Sequence, residues 1–133
     1  MNTPYTHQFR VYYEDTDAGG VVYHANYLNF FERTRTEWLR SKGLQQSIMC
    51  QNDNIVLAIR HMDIDFIKPA RLDDLLTVSC QAVSYRKASM QIDQTMYCGD
   101  QLLSTAKVTV ASLRADAFKP TRFPQHLIEE LLL

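Results

Sequence analysis

Residues 13–27, from Tyr13 to Tyr27, read YEDTDAGGVVYHANY, and the rest of the chain is organised around holding this stretch in place. Three acids, Glu14, Asp15 and Asp17, run into the pair Gly19 and Gly20, after which the chain takes on the apolar spacing of a helix. The first N–H groups of a helix lack partners inside it and carry partial positive charge. They therefore suit an anion or a polarised carbonyl oxygen. An acid beside such donors is equipped to hydrolyse an acyl compound, Asp17 attacking or activating water while the donors hold the oxyanion. Acids before a helix also act as caps, and paired glycines as turns, so the pattern alone leaves both readings open. A calcium loop does not fit. Counted from Asp15, two of the positions that need oxygen ligands, the fifth and the twelfth, fall on Gly19 and Asn26.

Upstream, residues 6–13 place Phe9, Val11 and Tyr13 on one face and Gln8, Arg10 and Tyr12 on the other, which predicts a half-buried strand feeding the acidic loop. Downstream, from about His24 to Lys42, Tyr27, Phe31, Thr34 and Trp38 recur at helical spacing, flanked by Leu28, Phe30 and Leu39. Asn29, Arg33, Thr36, Glu37 and Arg40 take the other side. This predicts an amphipathic helix about 28 Å long, with an aromatic stripe for the core and Gly43 as its stop.

Residues 44–54 are polar and read as a connecting loop with at most a short helical turn. From Ile55 to Phe66 the apolar phase is odd at Ile55, Leu57 and Ile59, then even at Met62, Ile64 and Phe66. A period-two face cannot change phase without an inserted residue, so a β-bulge is expected near Arg60 and His61. His61 is expected as a partly exposed strand residue. Pro69 ends that strand, and further strands are expected from Leu75 to about Tyr85, through Met90 to Cys98, and after a turn at Gly99–Gln101. A short helix is expected from Pro124 to Leu133. Five strands and one long helix make an α+β fold in which the helix buries its stripe against an antiparallel sheet.

At 133 residues the chain fits a single domain, 1–133, and its 46% hydrophobic content is that of a globular protein. Net charge is −1, which points away from nucleic acid as a partner. The cysteines, Cys50, Cys80 and Cys98, are odd in number and form no metal-ligand pair, so no metal is expected and a reducing compartment is. With no basic-apolar leader and no bilayer-length apolar run, the expectation is a soluble cytoplasmic protein.

The block YEDTDAGGVVYHANYLNFFERTRTEWL, with the β-rich pattern after it, resembles the hotdog-fold acyl-CoA thioesterases of the 4-hydroxybenzoyl-CoA thioesterase type. The likeness is strongest to the YbgC-like branch, associated in bacteria with the Tol-Pal envelope system. It covers nearly the whole chain, with weaker support at Arg60, Asp65, Pro69, Ala70, Leu72 and Asp73. The resemblance implies a curved five-stranded sheet wrapped around a long helix, with Asp17 as catalytic carboxylate and Tyr13 close to it. At His24 it implies a helix-start N–H that polarises the thioester carbonyl, with a side chain that orients substrate, shuttles a proton or only packs. Arg86 and Lys87 align loosely with a stretch that contacts CoA phosphates, and a solvated strand end is the alternative for both. Asp15 reads as structural.

The implied substrate is a short- to medium-chain acyl-CoA or an acyl-carrier thioester, hydrolysed without a cofactor by a homodimer or homotetramer with its acyl site at the subunit interface. A carboxylate suffices because a thioester is electrophilic enough to need no serine or cysteine triad. Acyl carrier protein and envelope machinery are the implied partners. A non-catalytic acyl-CoA-binding or envelope-associated interaction protein on the same fold is the alternative, and it has no need of an acid at position 17. A dehydratase on this fold would carry a His-containing helix motif that this chain lacks.

Overall fold

The alternation at Tyr5–Arg10 forms β1, and the computed structural model, which describes residues 3–132, continues through α1 (His24–Ser41), α2 (Gln46–Asp53), β2 (Ile55–Phe66) and β3 (Leu75–Tyr85). The chain ends with β4 (Ser89–Cys98), β5 (Gln101–Arg114) and α3 (Gln125–Leu132). The expected end of the last helix, Leu133, lies outside the described residues. All five strands pair antiparallel in the order β1-β3-β4-β5-β2, so β1 and β2 are the two edges.

Alternating side chains of the inner strands face the helix: Leu76, Val78, Cys80 and Ala82 from β3, Met90, Ile92 and Met96 from β4, and Ala106, Val108 and Val110 from β5 are all buried. From α1 come Tyr27, Phe30, Phe31, Trp38 and Leu39. Phe31 is wholly buried, and sealing a side chain of that size from water contributes about 2–3 kcal/mol. The helix stops as its sequence implies: Gly43 has φ +76, its N–H donates to the Arg40 carbonyl at 3.0 Å, and that of Leu44 donates to Leu39 at 2.9 Å. This is a Schellman closure, which needs the left-handed residue that glycine supplies without strain.

The expected bulge is present. Ile59 pairs with Val110 and His61 with Thr109, leaving Arg60 as the inserted residue. Two expectations need correcting. Residues 46–53 form a helix rather than a loop, closed by Asn54 at φ 56, and Met49 is its one buried side chain, so the apolar signal was too sparse to read. The first strand ends at Arg10, not Tyr13, because the Val11 N–H turns to the Asp74 carbonyl (2.9 Å) and the Asp15 carboxylate takes the Tyr12 N–H (2.8 Å). Tyr13 therefore sits in a 3-10 turn spanning Tyr13–Asp15 and is 82% exposed.

The core also holds a charge the stripe did not announce. Arg35 is buried, and its Nη1 donates to Gln94 Oε1 at 2.9 Å. The Gln94 Nε2 in turn donates to the carbonyls of Phe31 (3.1 Å) and Ser79 (3.3 Å), which fixes the amide with its oxygen toward the guanidinium. Nearby, burial pushes the Cys80 thiol up to about 12. In the native protein a thiol reagent at pH 8 is expected to label Cys50 and Cys98, both partly exposed, and to spare Cys80 until unfolding, as mass spectrometry of the labelled chain will read. The unfolded thiol ionises near 9.0 and the folded one near 12, so this group's contribution to stability is present below pH 9 and is lost as pH rises through that window.

Candidate active site

Short-range bonds lock the acidic loop. Asp15 caps the Tyr12 N–H, and the Thr16 hydroxyl donates to the Tyr13 carbonyl at 2.7 Å. The chain then reverses: the Asp17 N–H donates to the Val21 carbonyl (2.9 Å), Gly20 donates back to Asp17 (3.0 Å) and Thr16 bridges Val22. Gly20 takes φ +79 in this reversal. Positions 16 and 22 are thus neighbours, with Asp17 one residue from the bridge and His24 two residues from it. The Asp15 carbonyl ties the loop to the helix start, accepting from the Tyr23 N–H at 2.9 Å and from Asn26 Nδ2 at 3.0 Å. On the far side, the Val22 N–H donates to the Ala70 carbonyl (2.8 Å), and the Ala70 N–H donates to the buried Tyr27 hydroxyl (2.9 Å).

The Asp17 side chain is exposed in the single chain, and its Oδ1 accepts the Gly19 N–H at 2.8 Å. Among the described residues Oδ2 has no hydrogen-bond partner, so one carboxylate oxygen is oriented and the other is open. At the head of α1, Tyr23 offers no side-chain cap, and the N–H groups of His24 and Ala25 have no acceptor among the described residues. Those are the orphan donors the sequence called for. The His24 imidazole lies 4.5 Å from the Tyr23 ring and 6.4 Å, edge on, from that of Phe66. Phe66 also meets Tyr27 edge to face at 5.1 Å, so the end of β2 closes over the helix start. Phe66 escaped the sequence reading because it looked like an ordinary core position at the end of a strand; it is 50% exposed.

A Cβ added at Gly19 would stand 3.2 Å from Asp17 Oδ1. Gly19→Ala is therefore expected to push the carboxylate by a few tenths of an ångström. In steady-state kinetics this should lower kcat about threefold to tenfold while leaving the unfolding midpoint close to wild type.

Tyr13 projects to solvent, and its side chain makes no hydrogen bond among the described residues. Arg86 and Lys87 sit on the β3–β4 turn, where the Arg86 N–H donates to the Ser89 carbonyl at 2.7 Å and the Lys87 carbonyl accepts from Phe123 at 3.0 Å. Both side chains are exposed. Arg86 lines a polar cleft with Arg60, His61, Tyr85 and Gln91, whereas Lys87 stays outside it. The bulge puts Arg60 in that cleft. The sequence marked the bulge but gave no sign that its inserted residue would meet Arg86. Among the described residues no cluster of His, Cys, Asp or Glu could hold a metal, and no helix is long and apolar enough to cross a membrane.

This carboxylate loop, the uncapped helix start and the wrapped sheet define a hotdog-fold thioesterase, and the chain belongs to the thioesterase superfamily, whose family description matches residues 19–105. The match includes His24, Arg86 and Lys87 and begins two residues after Asp17. More narrowly, the chain is 39% identical to the acyl-CoA thioesterase YbgC of Haemophilus influenzae over 96% of its own length and 93% of that protein's. It is 41% identical to the acyl-CoA thioester hydrolase YbgC of Escherichia coli O157:H7, over 91% and 90%. Among solved structures it superposes on a probable thioesterase from Bartonella henselae with a TM-score of 0.87 at 38% identity, covering 92% of this chain and all of that one.

Proposed function

We propose that this protein is an acyl-CoA thioester hydrolase in which Asp17 is the general base. The observation that carries the reading is the half-engaged carboxylate: Oδ1 is held by Gly19 while Oδ2 is open, on a loop tied through the Asp15 carbonyl to a helix start with unpaired N–H groups. Asp17 takes a proton from water as the water oxygen attacks the thioester carbon. The N–H groups at His24 and Ala25 stabilise the oxyanion, and collapse breaks the C–S bond as Asp17 returns the proton to the leaving sulfur, releasing the acid and the CoA thiol. His24 acts through its backbone, its imidazole packing between Tyr23 and Phe66 to shape the entrance.

From His61 to Phe66 a strand runs about 17 Å, so an extended ligand can hold its thioester by the helix start and its phosphates at Arg60 and Arg86. Arg86→Ala combined with Lys87→Ala is expected to raise KM for acyl-CoA severalfold to about tenfold at low salt, and less at high salt, with kcat unchanged. A thioester of N-acetylcysteamine, which lacks phosphates, should show no such change.

Tyr12, Tyr13, Tyr23 and Phe66 form exposed aromatic surface around the site, and two sheet edges are free in the single chain, which supports a homodimer or homotetramer completed by a second copy. The relatives' names support acyl-CoA as the substrate; a cytoplasmic enzyme working beside the Tol-Pal envelope machinery, with acyl-CoA or an acyl carrier protein delivering short- to medium-chain groups, extends the proposal along the resemblance noted in the sequence. A thiol-release assay over acyl-CoA chain lengths, with light scattering of the purified protein, tests the activity and the assembly together. Absence of thiol release across the whole panel, with acyl-CoA still bound in a calorimetric titration, would leave a protein that binds acyl-CoA without cleaving it.

A further inference from the structure

Behind the distal half of α1 lies a cavity of about 120 Å³ between that helix, α3 and the inner face of β2, β4 and β5. Trp38, Leu57, Ile92, Val110 and Leu127 make it apolar, and its exposed rim carries Glu32, Gln46 and Ile59. One buried charged residue lines it, Arg35, which is 7% exposed. Gln94 is its one hydrogen-bond partner among the described residues. The ion pairs found among the described residues, Arg40–Glu37, Arg114–Asp116 and His126–Asp53, do not include it. Burial lowers the Arg35 pKa, opposed by the nearby Cys80 and Glu32, yet a guanidinium starts so high that it stays cationic. No carboxylate touches the guanidinium among the described residues, and the donors left over after Gln94 match one.

We infer that this cavity is a second ligand site, taking a short aliphatic monocarboxylate with its head on Arg35 and its tail among Trp38, Ile92, Val110 and Leu127. The size sets the tail: an apolar protein cavity of about 150 Å³ holds benzene, so 120 Å³ takes no more than benzene's heavy atoms, an acid of roughly three or four carbons. Glu32 at the rim disfavours a multiply charged phosphate, whereas a monoanion meets less repulsion. Arg35 stands eleven residues beyond His24, about 16 Å along the helix, so the site is separate from the thioester centre and does not rest on the proposed hydrolysis.

The test is a titration of the full chain with butyrate, followed by methyl resonances and by thermal unfolding, with butan-1-ol and butylamine as neutral and cationic controls. Butyrate should shift the methyl signals of Ile92, Val110 and Leu127 saturably and raise the midpoint, and butan-1-ol should bind at least about tenfold more weakly. Arg35→Gln should weaken butyrate at least about tenfold, and Arg35→Lys should recover part of the loss. Should Arg35→Gln fail to fold, Leu57→Phe narrows the cavity with the guanidinium in place and should abolish binding. Asp17→Asn should bind butyrate as wild type does, which separates this site from the hydrolytic reading. Equal binding of butan-1-ol, shifts confined to the His24 and Phe66 end, or no saturable shift would each overturn the assignment.

Discussion

Asp17→Asn is expected to lower kcat for acyl-CoA hydrolysis by on the order of a hundredfold to ten-thousandfold, the range that removal of a general base produces. Asparagine keeps the shape and keeps an oxygen to accept the Gly19 N–H, so the reversal through Gly19 and Gly20 should survive. Proton abstraction is what it cannot do. Circular dichroism and the unfolding midpoint should match wild type, and KM should change little, because the amide occupies the same space. A folded variant with near-wild-type turnover would remove Asp17 from the chemistry.

The second large effect concerns stability. Gln94→Leu is expected to destabilise the fold by about 2–4 kcal/mol, measured as a lower midpoint in denaturant unfolding. The leucine fills a similar volume, but the amide oxygen that accepts from Arg35 is gone, as are the donors to Phe31 and Ser79. What remains is a buried cation with no partner. If that is the cause, the double variant Arg35→Met, Gln94→Leu should recover a substantial part of the loss, since an apolar replacement of both partners removes the unpaired charge. Additive losses in the double variant would show instead that packing, and not the charge, was disturbed.

Much of the fold was legible because it rests on periodicity. The phase change between Ile59 and Met62 placed the bulge at Arg60, and the aromatic stripe with Gly43 after it bounded α1 within a residue. The acidic stretch and the helix start were legible for the same local reason, since turn chemistry and orphan donors are near-neighbour effects. Other features depend on distant partners. Gln94 occupies a core-facing slot between Ile92 and Met96 that a pattern of apolar residues cannot interpret, and Arg35 faces inward only because that amide awaits it fifty-nine residues away. The end of β1 was misplaced because the Val11 N–H finds its acceptor on Asp74, which no local window contains. The cleft shared by Arg60 and Arg86 likewise depends on strand order.

The bonds that seat the acidic loop, from Tyr23 to Asp15, Val22 to Ala70 and Asp17 to Val21, run between main-chain atoms. Changing a neighbouring side chain does not delete them. The exposed side chains beside the loop, Tyr13, Tyr23 and Phe66, are therefore free to vary over evolutionary time, or under laboratory selection, while the main chain keeps the acid at its address. Inserting or deleting a residue between 17 and 22 has no such licence, because it would break the ladder itself.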